Sequence, residues 1–278
     1  MSAIDRPSPP FADAVSGQFV ERHYAVITYA LTQGARRVPV GREGNFVARD
    51  HNQRGQLAPG DDEFTARCIA HSYGVMHYSE MLAFLRSVPD ALGPRVAALD
   101  IGCGIGSALA ATSAAVAGGD HRWMGFDPHP ATLGLARAVL DGLLVPPAIL
   151  IDELDGSAAQ RLTSWATDDR RLVLLISHVL GQRSVSDDSL HAIASWIVAL
   201  VQGAGGAELL AVEPDRSGVV ERGPQLLARI GERVDVEAHV DEVRDLVRLE
   251  TRSTAPIAPF VGPCRKRVRW HTLTARRR

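Results

Sequence analysis

A chain of 278 residues with 46% hydrophobic and 22% charged residues has apolar material for one large core, or a core plus a cap, and is too apolar to stay disordered. No apolar run reaches the roughly 18–20 residues needed to span a bilayer. Residues 1–11 lack a basic stretch followed by an apolar one, so no secretory signal is expected and the default location is cytoplasmic. The three cysteines, Cys68, Cys103 and Cys264, are odd in number and lack ligand spacing, which argues against a disulfide framework and a zinc site.

Residues 1–15 are rich in Pro, Ser and Ala and predict loose packing. Over 15–35, Val20, Tyr24, Ile27 and Leu31 fall at helical spacing, and Gly34 is a stop. Residues 36–60 read as a long loop of the kind that forms lids or disordered segments. Asp61 or Asp62 would cap a helix starting near Glu63, which ends by Ala70 or continues through Tyr78. A helix over about 78–87 would end before Pro89. Residues 1–92 thus form a helical N-terminal extension, and 93–278 a second unit.

From Arg95 strands alternate with helices, the pattern of a parallel sheet. The spacing predicts strands at 96–101, 121–126, 148–151, 172–177, 208–212, 234–240 and 267–274. Helices are expected at 106–117, 131–143, from Asp187 or Asp188 to 202, and ending over 226–232. The fold class is α/β: a seven-stranded, mostly parallel, doubly wound sheet with an N-terminal helical cap.

The first strand runs through Asp100 into Gly102, Gly104 and Gly106, and then into a helix. Glycines let the backbone turn tightly and let a ligand approach without meeting Cβ atoms. The helix start offers free N–H groups. The dinucleotide fingerprint G-x-G-x-x-G/A does not fit, since its third small residue would fall on Ser107 or Leu109. The pattern D-x-G-x-G-x-G resembles motif I of the class I S-adenosylmethionine (SAM)-dependent methyltransferases. That resemblance covers about 93–278 and implies a strand seven that is antiparallel beside strand five. It also implies SAM as cofactor, wrapped by Asp100, Gly102, Cys103, Gly104 and Gly106, with Asp100 near the ammonium group. A carboxylate suits that cation, whereas it would repel a pyrophosphate.

Ligands of open α/β sheets bind outside the carboxyl ends of the strands. After strand two stand Asp127 and Pro128, where the resemblance implies ribose binding; an ordinary helix cap is the plainer reading of Asp127. After strand three stand Asp152 and Glu153, implied to reach the adenine amino group, with Asp155 as a fallback and a polar loop as the alternative. After strand four stand Ser177 and His178, which the resemblance places by the transferred methyl. His178 has the titration range of a general base, or is a hydrogen-bonded structural histidine. No Pro-Pro-aromatic follows strand four, which counts against nucleic-acid amino methylation, and Pro263-Cys264 is in the wrong place for C5 chemistry. Tyr73, His77 and Tyr78 either line an acceptor pocket or pack the cap on the core. Glu213, after strand five, is expected at the pocket mouth or as a loop acid.

Residues 262–278 hold seven basic residues and no acid, leaving the rest of the chain at −9. Such a tail binds RNA or another polyanion, or forms an edge strand whose arginines block pairing. The acidic body favours the edge strand. The reading is a methyltransferase acting on a small molecule, with no metal. The alternatives are an RNA or protein methyltransferase using the basic tail, and a SAM-consuming cyclase or lyase.

Overall fold

The computed structural model describes residues 63–88, 92–116, 119–143, 145–166, 170–180, 185–214, 221–250 and 262–278. At the centre of the sheet lies β1 (Val96–Ile101), buried at every position. A strand covered on both faces is what a continuous apolar run produces. It pairs in parallel with β2 (Arg122–Phe126) and β4 (Arg171–Ser177). β3 (Ala148–Ile151) pairs in parallel with β2, and β5 (Gly206–Pro214) with β4. Beyond β5 the direction reverses. β7 (Gly262–Arg276) is antiparallel to β5, and β6 (Asp235–Glu250) is antiparallel to β7. The order β3-β2-β1-β4-β5-β7-β6 is the sheet that the resemblance implies, with the seventh strand beside the fifth.

Two helical layers cover this sheet. Ala97, Leu99 and Ile101 of β1 and Leu174 and Ile176 of β4 join a core cluster with α4 (Gly156–Trp165), α5 (Asp187–Ala204) and α6 (Arg222–Gly231). Val96, Ala98, Val173 and Leu175 join the other, with Met81, Phe84 and Leu85 of α1 (Glu63–Ser87) and Leu109 and Ala111 of α2 (Ser107–Ala115). Side chains alternate between faces along a strand. Asp100 and Ser177 therefore belong to the α1–α2 face. α3 (Pro130–Gly142) follows β2, with proline in its first turn.

Several expectations change in detail. α1 is one helix of 25 residues rather than two. Ser107 Oγ donates to the Gly74 carbonyl at 3.0 Å, tying α1 to the start of α2. α4 was not expected. Asp155 caps it, accepting from the Ala158 N–H at 2.8 Å, and that bond with those of Ser157 lowers its carboxyl pKa; the fallback adenine ligand is thus a helix cap.

The basic C-terminal segment is not an edge. β7 lies between β5 and β6, and β6 is the outer strand. Acids of β6 meet the arginines of β7: Arg269 Nη1 donates to both Asp241 oxygens, at 3.0 and 2.9 Å. Arg276 pairs with Glu237 at 3.2 Å, and Arg278 with Asp235 at 3.1 Å. Among the described residues no helix is long and apolar enough to cross a membrane. The expected helix at 15–35 and loop at 36–60 lie outside the described residues.

Candidate functional site

The carboxyl end of β1 turns into α2 through residues 102–106. Gly102, Gly104 and Gly106 have φ of +71°, +53° and +79°, conformations that a Cβ disfavours. At Gly102 a Cβ would lie 2.4 Å from Val179 Cγ2, so the turn after β4 packs directly on this loop. At Gly104 a Cβ would meet nothing within 4 Å: here the backbone faces open space. The Cys103 N–H donates to the Phe126 carbonyl at 2.8 Å, fixing the loop to the end of β2. The Cys103 side chain turns inward, where a Cβ on Gly125 would lie 2.9 Å from its sulfur. Burial, then the carboxylates of Asp100 and Asp127, push its thiol pKa well up. Cys103 lines the loop with its backbone, not its thiol.

Asp127 directly follows β2 and is largely buried. Its Oδ2 accepts from the Gly104 N–H at 3.1 Å. Its Oδ1 accepts from the His129 N–H at 3.0 Å and lies 2.9 Å from His129 Nδ1. The Asp127 N–H donates to the Ile151 carbonyl at 3.2 Å, so Asp152 and Glu153 begin beside it. Both of these acids, and Pro128, are exposed.

Asp100 is 1% exposed, and neither carboxylate oxygen has a well-formed hydrogen bond among the described residues. Burial, and next the Asp127 carboxylate, raise its pKa to about 8, against a weaker opposing pull from the Leu109 backbone. A buried carboxylate without partners is costly. It is chemically suited to a cation that is part of the ligand. Ser177 Oγ, on the same face, is also buried without a partner among the described residues.

At the end of β4 stands His178, the positive-φ non-glycine residue of the described chain, at φ +59°. Its N–H donates to the Val212 carbonyl at 2.9 Å. Its Nε2 is bonded to Oε2 of Glu80 from α1. His77 of the same helix stacks on its ring, with centroids 4.0 Å apart and planes 8° apart. Glu213 is not at a pocket mouth. It is 2% exposed, and its Oε1 accepts the N–H groups of Val179 and Leu180, both at 2.9 Å. It shapes the turn after β4. Tyr78 lies in the core cluster of α1 and β1, and burial raises its hydroxyl pKa. Of the two readings offered for Tyr78, packing of the cap on the core is the one its burial matches, and Glu213 is engaged by backbone N–H groups. Tyr73 belongs to α1, and its side chain lies outside the described residues.

No family model and no curated protein matches the chain. Solved structures do. The mitomycin 7-O-methyltransferase MmcR is 19% identical, covering 99% of this chain and 74% of that one, with a TM-score of 0.44. The magnesium protoporphyrin IX methyltransferase ChlM of Synechocystis PCC 6803, with bound S-adenosylhomocysteine (SAH), is 14% identical, covering 85% and 98%, with a TM-score of 0.39. A candidate RNA methyltransferase of Pyrococcus horikoshii is 13% identical, covering 72% and 81%, with a TM-score of 0.41. The strand order β3-β2-β1-β4-β5-β7-β6 is the one that the sequence resemblance to the class I SAM-dependent methyltransferases implies.

Within this sheet, the structure brings Asp100, the glycine loop, Asp127, Asp152, Ser177 and His178 to the carboxyl ends of neighbouring parallel strands. The sequence reading missed Glu80. Its one local signal is the spacing to His77, which puts both on one helix face. Its partner is 98 residues away.

Proposed function

We propose that this protein is a SAM-dependent methyltransferase acting on a small molecule. The observation that carries the reading is Asp100: a buried carboxylate with no well-formed hydrogen bond among the described residues, under a glycine loop whose central residue faces open space. These features fit the amino-acid end of SAM. Asp100 would take the ammonium, and the backbone of 102–106 would pack against the methionine part. Asp127 Oδ1 already meets the His129 N–H and Nδ1, and Oδ2 accepts the Gly104 N–H. A carboxylate has about four acceptor sites, so one position on Oδ2 would be left for a ribose hydroxyl. Asp152 or Glu153 would reach the adenine amino group, with Pro128 beside the ribose and Ser177 beside the reacting end.

Bound SAM supplies a methyl group already activated on a sulfonium, so the protein contributes proximity, alignment and exclusion of water. His178 stands where a base can take a proton from the acceptor. His77, stacked on it, is the acceptor-side residue of α1. A small acceptor is favoured over RNA because three arginines at and just beyond β7 are paired to acids of β6.

The test is incubation with methyl-labelled SAM and a small-molecule extract of the source cells. The reading expects SAH and a labelled small product in equal amounts. Methylthioadenosine without SAH would mean a cyclase or lyase, and would overturn it.

A further inference from the structure

Glu80 is wholly buried in the middle of α1, among the apolar side chains that join this helix to β1. A carboxylate there is costly unless paired, and its Oε2 is bonded to Nε2 of His178. Two more features hold that imidazole. The His77 ring lies flat against it, from the same helix face. The His178 backbone occupies the left-handed region, which is unfavourable for a non-glycine residue. Packing alone does not call for a histidine in that conformation. The next residue, Val179, rests on Gly102, so the ring is fixed one residue from the loop.

We infer that Glu80 is the positioning residue that makes His178 a general base, and that the acceptor is a hydroxyl. This inference rests on the proposed SAM site. A carboxylate at Nε2 keeps the proton of the neutral ring on that nitrogen and the lone pair on Nδ1. It also stabilises the imidazolium that forms once Nδ1 takes a proton. A neutral amine or a thiolate attacks a sulfonium methyl without such help, whereas a hydroxyl is a weak nucleophile at neutral pH and gains from a base. In the transfer the acceptor's O–H proton passes to Nδ1 as its oxygen forms a bond to the methyl carbon. The carbon–sulfur bond breaks, its electron pair stays on sulfur, and SAH results. The proton then leaves His178 to water.

Diethylpyrocarbonate, which acylates unprotonated imidazole, tests the dyad without an acceptor. Peptide mass spectrometry separates His178 from His77, and the rate is followed from about pH 5 to pH 8. Among the described residues, Glu80 and His77 of α1 touch the ring, and Glu213 at the end of β5 bonds the next backbone N–H. His178 is expected to react in the wild type, and more slowly with SAH bound. Glu80→Gln should lower the plateau rate several-fold and move the profile to lower pH, with SAH affinity unchanged. An unreactive His178 in folded, SAH-binding protein, or an unchanged profile in Glu80→Gln, would overturn the inference. Should that variant not fold, two-bond 1H–15N NMR of the wild type decides: Nε2–H on neutral His178 supports the dyad, and Nδ1–H overturns it. Folded wild type that fails to bind SAH would sink the SAM reading instead. With methyl-labelled SAM and extract, label on oxygen supports the hydroxyl acceptor. Label on nitrogen, carbon or sulfur overturns it.

Discussion

The backbone N–H of Gly104 donates to Oδ2 of Asp127 at 3.1 Å. The acid at the end of β2 therefore braces the same loop that turns out of β1, and the two halves of the proposed cofactor site are one unit. Charge-assisted hydrogen bonds contribute about 1.5–3 kcal/mol each. Asp127→Ala removes the brace and the proposed ribose acceptor together. It should weaken SAH binding by about a hundredfold or more, with circular dichroism still showing the native helix content. Unchanged affinity would put the ribose elsewhere.

The glycines of the loop should separate into two kinds. At Gly102 a Cβ would overlap Val179, so Gly102→Ala should lower stability strongly. At Gly104 the space is open, and alanine meets only the cost of a positive φ, about 1 kcal/mol. Gly104→Ala should fold and yet lose SAH affinity, because its methyl would stand where the ligand goes. Urea unfolding together with calorimetry reads both. A Gly104→Ala protein with wild-type affinity would mean that no ligand approaches there.

Asp100 couples the site to pH. Burial, then Asp127, raise its folded-state pKa to about 8, whereas the unfolded chain titrates near 4. Between those values the folded state holds the extra proton, so ionising Asp100 costs stability. Ligand-free protein should lose stability as pH rises from about 4 to about 8 and level off above. Asp100→Asn removes that loss: its Tm should exceed the wild type's at about pH 8 and match it near pH 4. The same variant should lose SAH affinity. An identical Tm-against-pH curve would show that Asp100 does not carry the effect.

The sequence made the first half of the sheet easy to read. β1 and β3 have the expected limits, because each is a short apolar run closed by an acid or a turn. α4 was missed because only Ala158 and Leu162 of its ten residues are buried, too few to leave a helical period. β6 and β7 run longer than their apolar alternation, since an antiparallel pair is held by backbone bonds that polar residues make equally well. Asp127 could be found by its place after a strand. Glu80, and the role of Glu213, could not, since their partners are a histidine and two backbone N–H groups that only the folded chain brings near.

The arginines near the C-terminus give a further prediction. Three are matched to Asp235, Glu237 and Asp241, so the segment should not act as a polyanion site. Fluorescence anisotropy with a generic single-stranded RNA should show no saturable micromolar binding at about 0.15 M salt. Tight binding that falls steeply with salt would favour a macromolecular substrate.

The most direct measurement is calorimetric titration of the folded, ligand-free protein with SAH near pH 7, in buffers of different ionisation enthalpy. An ammonium that settles on Asp100 drives that group from protonated to ionised, so a proton is released. The expected result is one site per chain, micromolar or tighter, with a binding heat that changes with the buffer in the sense of proton release. No binding, or binding without that release, would contradict the assignment of Asp100 and its loop to SAM.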